Sequence, residues 1–397
     1  MKANKYILQE KRGLVKVLSK KGLNQTEISK RLVVTRKFVR KWIGVEDVTC
    51  DGRGWPKGKL RKRTNDEVNF IINIRNSFQK KNVFFFGPDA VIYEYQLLYP
   101  NRPLPPRSFV KQVIKDNCKL EKRNKRSKGG SRYQHYPETS LKNLGKVIEE
   151  IDFIGPRSLK KNFRVVHLFS RAYNQPFKLG MASLIKACSS QEAVRCLVED
   201  WKKYPMPDVL KFDNDFAFLN NCRFNPWVSP FVCWLLNLNI APVFIAFQKP
   251  WNNGSVEGFN SIFQKKVWSK LEFDSEKSLI PVLASFNQQY QNFKKQKWQD
   301  VKTKHLSKNY SIPNLKQVKL DPHLKSPCVY FIRKAYLKEN RATISILTRK
   351  VEIDKMYAKQ FVLVKLNLKT QQLTISYETD DSKLIVVKKQ KFLVKYH

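Results

Sequence analysis

Apolar positions recur along this chain with different periods, and each period marks a different stretch. Over residues 8–43 the period is helical: Leu14, Val15 and Leu18 form the inner face of a first helix that Gly22 ends. Ile28 and Leu32 point inward from a second helix, and Val39, Trp42 and Ile43 from a third. Asn24-Gln-Thr-Glu27 is a capping-box-like start for the second helix, and Thr35 caps the third. The outward face of the third carries Arg36, Lys37, Arg40 and Lys41. A basic helix placed third after two compact ones predicts a helix-turn-helix domain whose last helix enters a DNA major groove. A solvated bundle surface is the plainer reading of the same cations.

Residues 65–117 repeat the helical period. Val68, Phe70, Ile71, Ile72 and Ile74 belong to one helix, and Ala90, Val91, Tyr93 and Leu97 to a second. Phe109, Val110, Val113 and Ile114 belong to a third, which follows Pro103-Leu-Pro-Pro106 and exposes Arg107, Lys111 and Lys115 as candidate phosphate contacts. The pattern then becomes mixed. Strands are expected near 146–153, 164–169 and 176–182, with Gly155-Pro156 ending the first. A helix near 190–203 comes next, and then a short apolar run (Val209, Leu210, Phe212) that stops at Asp213. A core helix (228–238), a buried strand (240–247), a helix from Ser255 and an outer helix (276–294) complete this part. From 327 the period drops to two: VYFIRKAY, ATISIL, KVEID, FVLVKLN, LTISYE and KLIVVKK predict a small β-barrel or sandwich.

Charge changes the picture. The 397 residues include 76 Lys and Arg against 33 Asp and Glu, a net charge of +43. Such an excess repels itself unless a polyanion offsets it, which points to nucleic acid. A spanning helix is excluded where the chain is most apolar, because Trp227–Phe247 contains Ser229, Pro230, Asn237, Asn239 and Pro242. The N-terminus has no apolar core of a signal peptide, and seven cysteines without a C-x-x-C pair fit reduced thiols, so a cytoplasmic protein is expected, nucleoid-associated if the host is prokaryotic. Two linkers carry much of the charge. Arg53, Lys57, Lys59, Arg61, Lys62 and Arg63 crowd 50–64, and Lys119–Tyr136 is similar; such arms track phosphates or the minor groove without sequence preference.

Three carboxylates stand out. Asp152 lies on the strand of VIEEIDFIGP, Asp213 ends the strand of VLKFDND, and Glu257 sits in the first turn of an amphipathic helix whose Val256, Phe259, Phe263 and Val267 are buried. Singly, each has an ordinary explanation, as a turn former or as a complement to the helix dipole. Together, two strand-borne Asp and one helix-borne Glu supply the hard oxygen ligands of a two-metal Mg²⁺ or Mn²⁺ site. Lys249, Trp251, Asn252 and Asn253 sit just before the Glu257 helix, where a loop could hold a nucleic-acid strand in place; a structural turn is the equally good alternative.

IDFIGP, KFDNDFAF and NNGSVEGFN resemble the three catalytic blocks of the D-D-E transposases and integrases, over roughly residues 145–295. The resemblance implies an RNase H-like mixed-sheet core, metal-dependent DNA strand cleavage and transfer, and Asp152, Asp213 and Glu257 as the triad. The family usually has Asp-Asn-Gly where this chain has Asp213-Asn214-Asp215, which leaves Asp215 as an alternative ligand. Between Asp213 and Glu257 lie 43 residues, slightly more than in most relatives. Gln264, with Lys265 beside it, stands where a basic residue is usual. Retroviral integrases carry an N-terminal His-His-Cys-Cys module that the five scattered histidines cannot build, so zinc is not expected.

The expectation is therefore a multidomain α/β chain: 1–45 helix-turn-helix, 46–64 basic linker, 65–117 second helical DNA-binding domain, and 118–140 basic linker. The RNase H-like core follows at 141–297, then a connector at 298–325 and a small C-terminal β-barrel at 326–397. Its partner is double-stranded DNA, on which it acts as a homo-oligomer. A non-catalytic DNA-binding regulator derived from a transposase is the alternative. A hydrolase with two carboxylates as acid and base is a third reading, which leaves the charge and the helical modules without a role.

Overall fold

A computed structural model describes residues 2–46, 64–80, 83–118, 135–160, 164–176, 179–219, 227–294, 304–338 and 340–396. The chain divides into two compact units, 1–69 and 70–397. The first contains α1 (Lys2–Lys20), α2 (Gln25–Leu32) and α3 (Arg36–Ile43). The expected caps are present. Asn24 Oδ1 accepts the N–H groups of Thr26 and Glu27 at 3.0 and 2.9 Å, while Glu27 Oε2 accepts that of Asn24 at 3.0 Å. Thr35 Oγ1 accepts the Phe38 N–H at 3.2 Å. Val15, Ile28, Leu32, Val39 and Trp42 form the core, and Arg36, Lys37, Arg40 and Lys41 are exposed.

Three helices follow: α4 (Asn65–Lys80), α5 (Pro88–Leu98) and α6 (Arg107–Asn117). Their inner faces bury Ile71, Ile74, Phe78, Ala90, Val91, Tyr95, Val110, Val113 and Ile114. Arg107, expected to be available to phosphate, grips Asp89 on α5 with Nε and Nη2 at 2.6 and 3.2 Å, whereas Lys111 is simply exposed. The linker cations Arg53, Lys57, Lys59, Arg61, Lys62 and Arg63 lie outside the described residues.

After the short α7 (Glu138–Lys142), three antiparallel strands form one half of a sheet: β1 (Ile148–Ser158), β2 (Val165–Gln175) and β3 (Gly180–Ile185). The second part alternates strands with helices: α8 (Ser190–Trp201), β4 (Val209–Phe212), α9 (Phe216–Leu219), β5 (Trp227–Val228), α10 (Pro230–Asn237) and β6 (Ala241–Phe244); β4 and β6 run parallel to β1 in the sheet, and β5 lies outside it. Then come α11 (Gly254–Phe263) and α12 (Glu276–Lys294). α8 and α10 cover one face, where Trp201 and Trp234 stack with centroids 5.5 Å apart. α11 and α12 cover the other through Val256, Phe259, Phe263, Leu279, Leu283 and Phe286. Burial on both faces explains why β6 reads as a continuous apolar run and why the one charge in β4, Lys211, is buried.

Two expectations are corrected. Gly155-Pro156 does not end β1; the strand passes through it with a register shift between Ile154 and Arg157. β4 pairs with β1 only over Ile148–Glu150, so beyond Glu150 that flank has no ladder for the proline to break. The C-terminal strands are not a free-standing barrel either. They are β7 (Cys328–Lys334), β8 (Tyr336–Lys338), β9 (Arg341–Ile346), β10 (Arg349–Ile353), β11 (Phe361–Asn367), β12 (Gln372–Glu378), β13 (Leu384–Lys391) and β14 (Lys395–Tyr396). β7 pairs in parallel with β6 (Val243 with Tyr330, Phe244 with Phe331), giving one sheet of order β13-β12-β11-β7-β6-β4-β1-β2-β3 among the described residues. Val329, Phe331, Val362 and Val364 belong to the same apolar cluster as Trp201 and Trp234. Alternation alone could not reveal this, because a strand buried by its own hairpin and one buried by a neighbouring sheet have the same pattern.

Gly180 opens β3 under α11. A Cβ there would stand 2.5 Å from Cδ2 of the fully buried Phe259. Gly180→Ala should therefore cost about 1–3 kcal/mol, the usual range for overpacking. Urea unfolding curves of the two proteins would measure it, and equal midpoints would contradict the packing described.

Candidate active site

Alternation along β1 decides which way each acidic side chain faces. Glu149 and Ile151 face α8, and Glu150, Asp152 and Ile154 face α11. Glu149, fully buried, pairs with Arg171 and accepts the Trp201 indole N–H at 2.8 Å. Arg171 also reaches Asp200 at 2.8 Å. Glu150, fully buried as well, is held by Lys211 Nζ at 2.7 Å and Asn174 at 3.1 Å. Its Oε2 accepts the first free N–H groups of α11, Ser255 at 2.6 Å and Val256 at 3.2 Å. The N-cap residue Asn253 makes no side-chain cap, so Glu150 does that work across the sheet. Asn253 instead donates to the Ile151 carbonyl at 3.0 Å. Strand and helix are thus tied at two points, and Glu257 lies one turn into the helix so fixed.

Asp152 follows Glu150 by two residues and faces the same helix. Its carboxylate accepts the Asn260 amide N–H at 2.9 Å. Asp213 comes just after the carboxyl end of β4, where open parallel sheets bind ligands. Its Oδ1 accepts the Asp215 N–H at 3.0 Å, and Asp215 Oδ1 in turn accepts the Ala217 N–H at 2.8 Å, capping α9. Asp152, Asp213, Asp215 and Glu257 all line one cavity of about 330 Å³, whose other wall is Ile245–Lys249. Lys249 sits there with Nζ 4.8 Å from the centre of the exposed Trp251 ring. Lys265 is exposed on the turn of π-helix that continues α11 and does not line the cavity.

The electrostatics of this cavity differ from those of its neighbours. Burial, and then the charges of Asp213, Glu257 and Asp215, push the Asp152 carboxyl up to about 7. Asp213 is raised by burial and by Asp215 and Glu257, against the lowering effect of the Asp215 N–H. Among the described residues, no three acidic, His or Cys side chains converge closely enough to hold an ion in the positions seen. The donor set still suits a hard divalent ion. It consists of carboxylates that destabilise one another, with the buried amide oxygens Asn253 Oδ1 and Asn260 Oδ1 nearby and without hydrogen-bond partners.

No protein-family model matches the chain, and no curated protein matches it. Among solved structures, it is similar to a chain of the simian T-cell lymphotropic virus intasome in complex with the PP2A regulatory subunit B56 gamma. That match has 13% identity and a TM-score of 0.31, covering 81% of this chain and 99% of that one. It is also similar to the Mos1 transposase paired-end complex with left transposon end, with 13% identity, a TM-score of 0.25, and 71% and 93% covered. At these TM-scores neither likeness bears on fold or function. No helix among the described residues is long and apolar enough to cross a membrane.

Sequence reasoning passed over Glu150, Asn260 and Asn214. The signal for the first was present: two adjacent Glu inside an otherwise apolar strand cannot both face solvent.

The raised Asp152 carboxyl makes stability depend on pH. Unfolded, it ionises near the ordinary Asp value of about 3.9; folded, it keeps its proton to about 7. Stability is therefore complete below the lower value and falls as pH rises toward the upper, by at most about 4 kcal/mol. Asp152→Asn cannot ionise, so in EDTA it should be more stable than the parent at about pH 8. That advantage should shrink steadily toward about pH 5. Urea titrations at several pH values would test this, and a pH-independent difference would rule it out.

Proposed function

We propose that this protein is a D-D-E DNA transposase or integrase, with an RNase H-like core that cleaves DNA strands and transfers them. The observation that carries the reading is the meeting of Asp152, Asp213 and Glu257 at one partly buried cavity, from a strand, a strand end and a helix far apart in sequence. Asp152, Asp213 and Glu257 would hold Mg²⁺ or Mn²⁺. Bound there, two such ions supply the positive charge that an in-line phosphoryl displacement needs on its attacking and leaving oxygens. The chain's own contribution is placement. Glu150 and Asn253 fix the helix carrying Glu257 against the strand carrying Asp152. Asp215 shapes the turn after Asp213 by capping α9. Lys249, which lines the cavity, and the exposed ring of Trp251 beside it offer a cation and an aromatic face to a DNA strand.

DNA recognition falls to the basic surfaces. Arg36, Lys37, Arg40 and Lys41 form the exposed face of α3, suited to a helix-turn-helix in a major groove, and Lys111 on α6 adds a phosphate contact. The excess of +43 supplies most of the affinity without any need for the carboxylates.

Asp152→Asn, Asp213→Asn and Glu257→Gln keep volume and remove charge. Each should lower Mg²⁺- or Mn²⁺-dependent cleavage of the element's own end DNA by about 10³-fold or more, a loss of several kcal/mol in transition-state stabilisation. DNA binding in a gel-shift should stay within about twofold, since the basic surfaces supply it. Asp215→Asn should be milder, because Asn caps a helix as well as Asp. If the parent with EDTA and all four variants behave alike, the protein is a DNA-binding regulator and not an enzyme.

Binding itself should respond steeply to salt. With about 6–10 phosphates engaged, affinity should fall about 10³–10⁵-fold between 50 and 200 mM salt. A flat response in a fluorescence-anisotropy titration would remove DNA as the partner.

A further inference from the structure

A buried arginine reaches the acidic cavity from the C-terminal strands. Arg333, on β7, is 2% exposed, yet every acceptor of its hydrogen bonds is neutral. Nε donates to the Ser345 carbonyl at 2.8 Å, and Nη1 to the carbonyls of Ile245 and Ile332 at 2.8 and 2.9 Å. Nη2 donates to Asn214 Oδ1 at 2.8 Å. Asn214 Nδ2 donates to the same Ile245 carbonyl at 2.7 Å, closing a triangle. The guanidinium also lies 4.6 Å from the Phe247 ring centre. Asn214 separates Asp213 from Asp215, and Ile245 and Phe247 belong to the opposite wall of the same cavity. One side chain thus holds both walls.

Burying a guanidinium without a carboxylate partner is costly, and burial pushes this one down to about 9. A hydrophobic side chain would serve the core better at this place. What only Arg provides is a rigid fork whose donors reach three directions at once. Here they reach β9, the end of β6 and the turn after β4.

We infer that Arg333 is a positioning residue of the acidic site, acting through Asn214 to set the Asp213–Asp215 turn, and that β7 is part of the active centre. This rests on the proposed metal-dependent function. It also changes the role expected of the C-terminal strands: they build the site and do not merely add a DNA-binding surface.

The test is Mn²⁺ affinity, read by the loss of the free Mn²⁺ EPR signal in the full chain without DNA. Variants are Arg333→Lys, which keeps charge and loses the fork, Asn214→Ala, and the double variant. Groups that orient metal ligands typically contribute about 10–100-fold to metal affinity. Each single variant should weaken Mn²⁺ binding by about tenfold or more, and the double should be no weaker than the weaker single, since one contact is lost in all three. Thermal melts set the temperature at which every protein is folded. A general loss of stability would leave Mn²⁺ affinity unchanged there. Should Arg333→Lys fail to fold, Asn214→Ala decides alone, because it breaks the contact and leaves the arginine in place. Parent-like Mn²⁺ affinity in the folded variants, or losses that multiply in the double, would overturn the inference. A parent that binds no Mn²⁺ would overturn the proposed function and this inference with it.

Discussion

A strand buried on both faces cannot leave a carboxylate unanswered, and β1 carries three: Glu149, Glu150 and Asp152. The first is answered by Arg171 and Trp201, the second by Lys211, Asn174 and the N-terminus of α11. The third is raised to about 7, first by burial and then by the charges of the carboxylates around it. The contrast along one strand separates structure from function. Glu149 and Glu150 are neutralised by groups the fold itself supplies, and they fasten helices to the sheet. Asp152 is placed by that fastening and remains in electrostatic conflict with Asp213 and Glu257, as a site built to receive positive charge would be.

The same logic orders the rest of the core. Parallel pairing of β1, β4, β6 and β7 brings strand ends to one edge, and the chain places its acidic turn after β4 there. Gly180 lets Phe259 approach the sheet, which seats α11 at a depth where Asn260 reaches Asp152. Arg333 extends the dependence to strands more than a hundred residues away in sequence. The site is therefore assembled from distant segments that only the sheet holds in register.

Much of this was legible in the sequence because the periodicities are strong. The helix over 276–294 is observed at those limits, and the capping box at Asn24 is present as read. The cluster of Asp152, Asp213 and Glu257 was visible as residue types at strand ends and in a helix's first turn, and all three line one cavity. What escaped were interactions made by residues that look out of place. Glu150 drew no role from the sequence, because only the fold supplies a helix N-terminus for it to cap. Pro156 read as a terminator, because sequence does not tell which flank of a strand lacks a partner. The C-terminal strands read as a separate barrel, since the β6–β7 pairing that joins them to the core spans about ninety residues and leaves no local trace.

Whether the acidic cavity holds a divalent metal can be read by diffraction from crystals of the full chain grown with Mn²⁺, measured on either side of the manganese absorption edge. An anomalous peak is expected within coordination distance of the carboxylates of Asp152 and Asp213, with Glu257 turned toward it. A cavity without a peak, or manganese bound only elsewhere on the molecule, would contradict a metal site there.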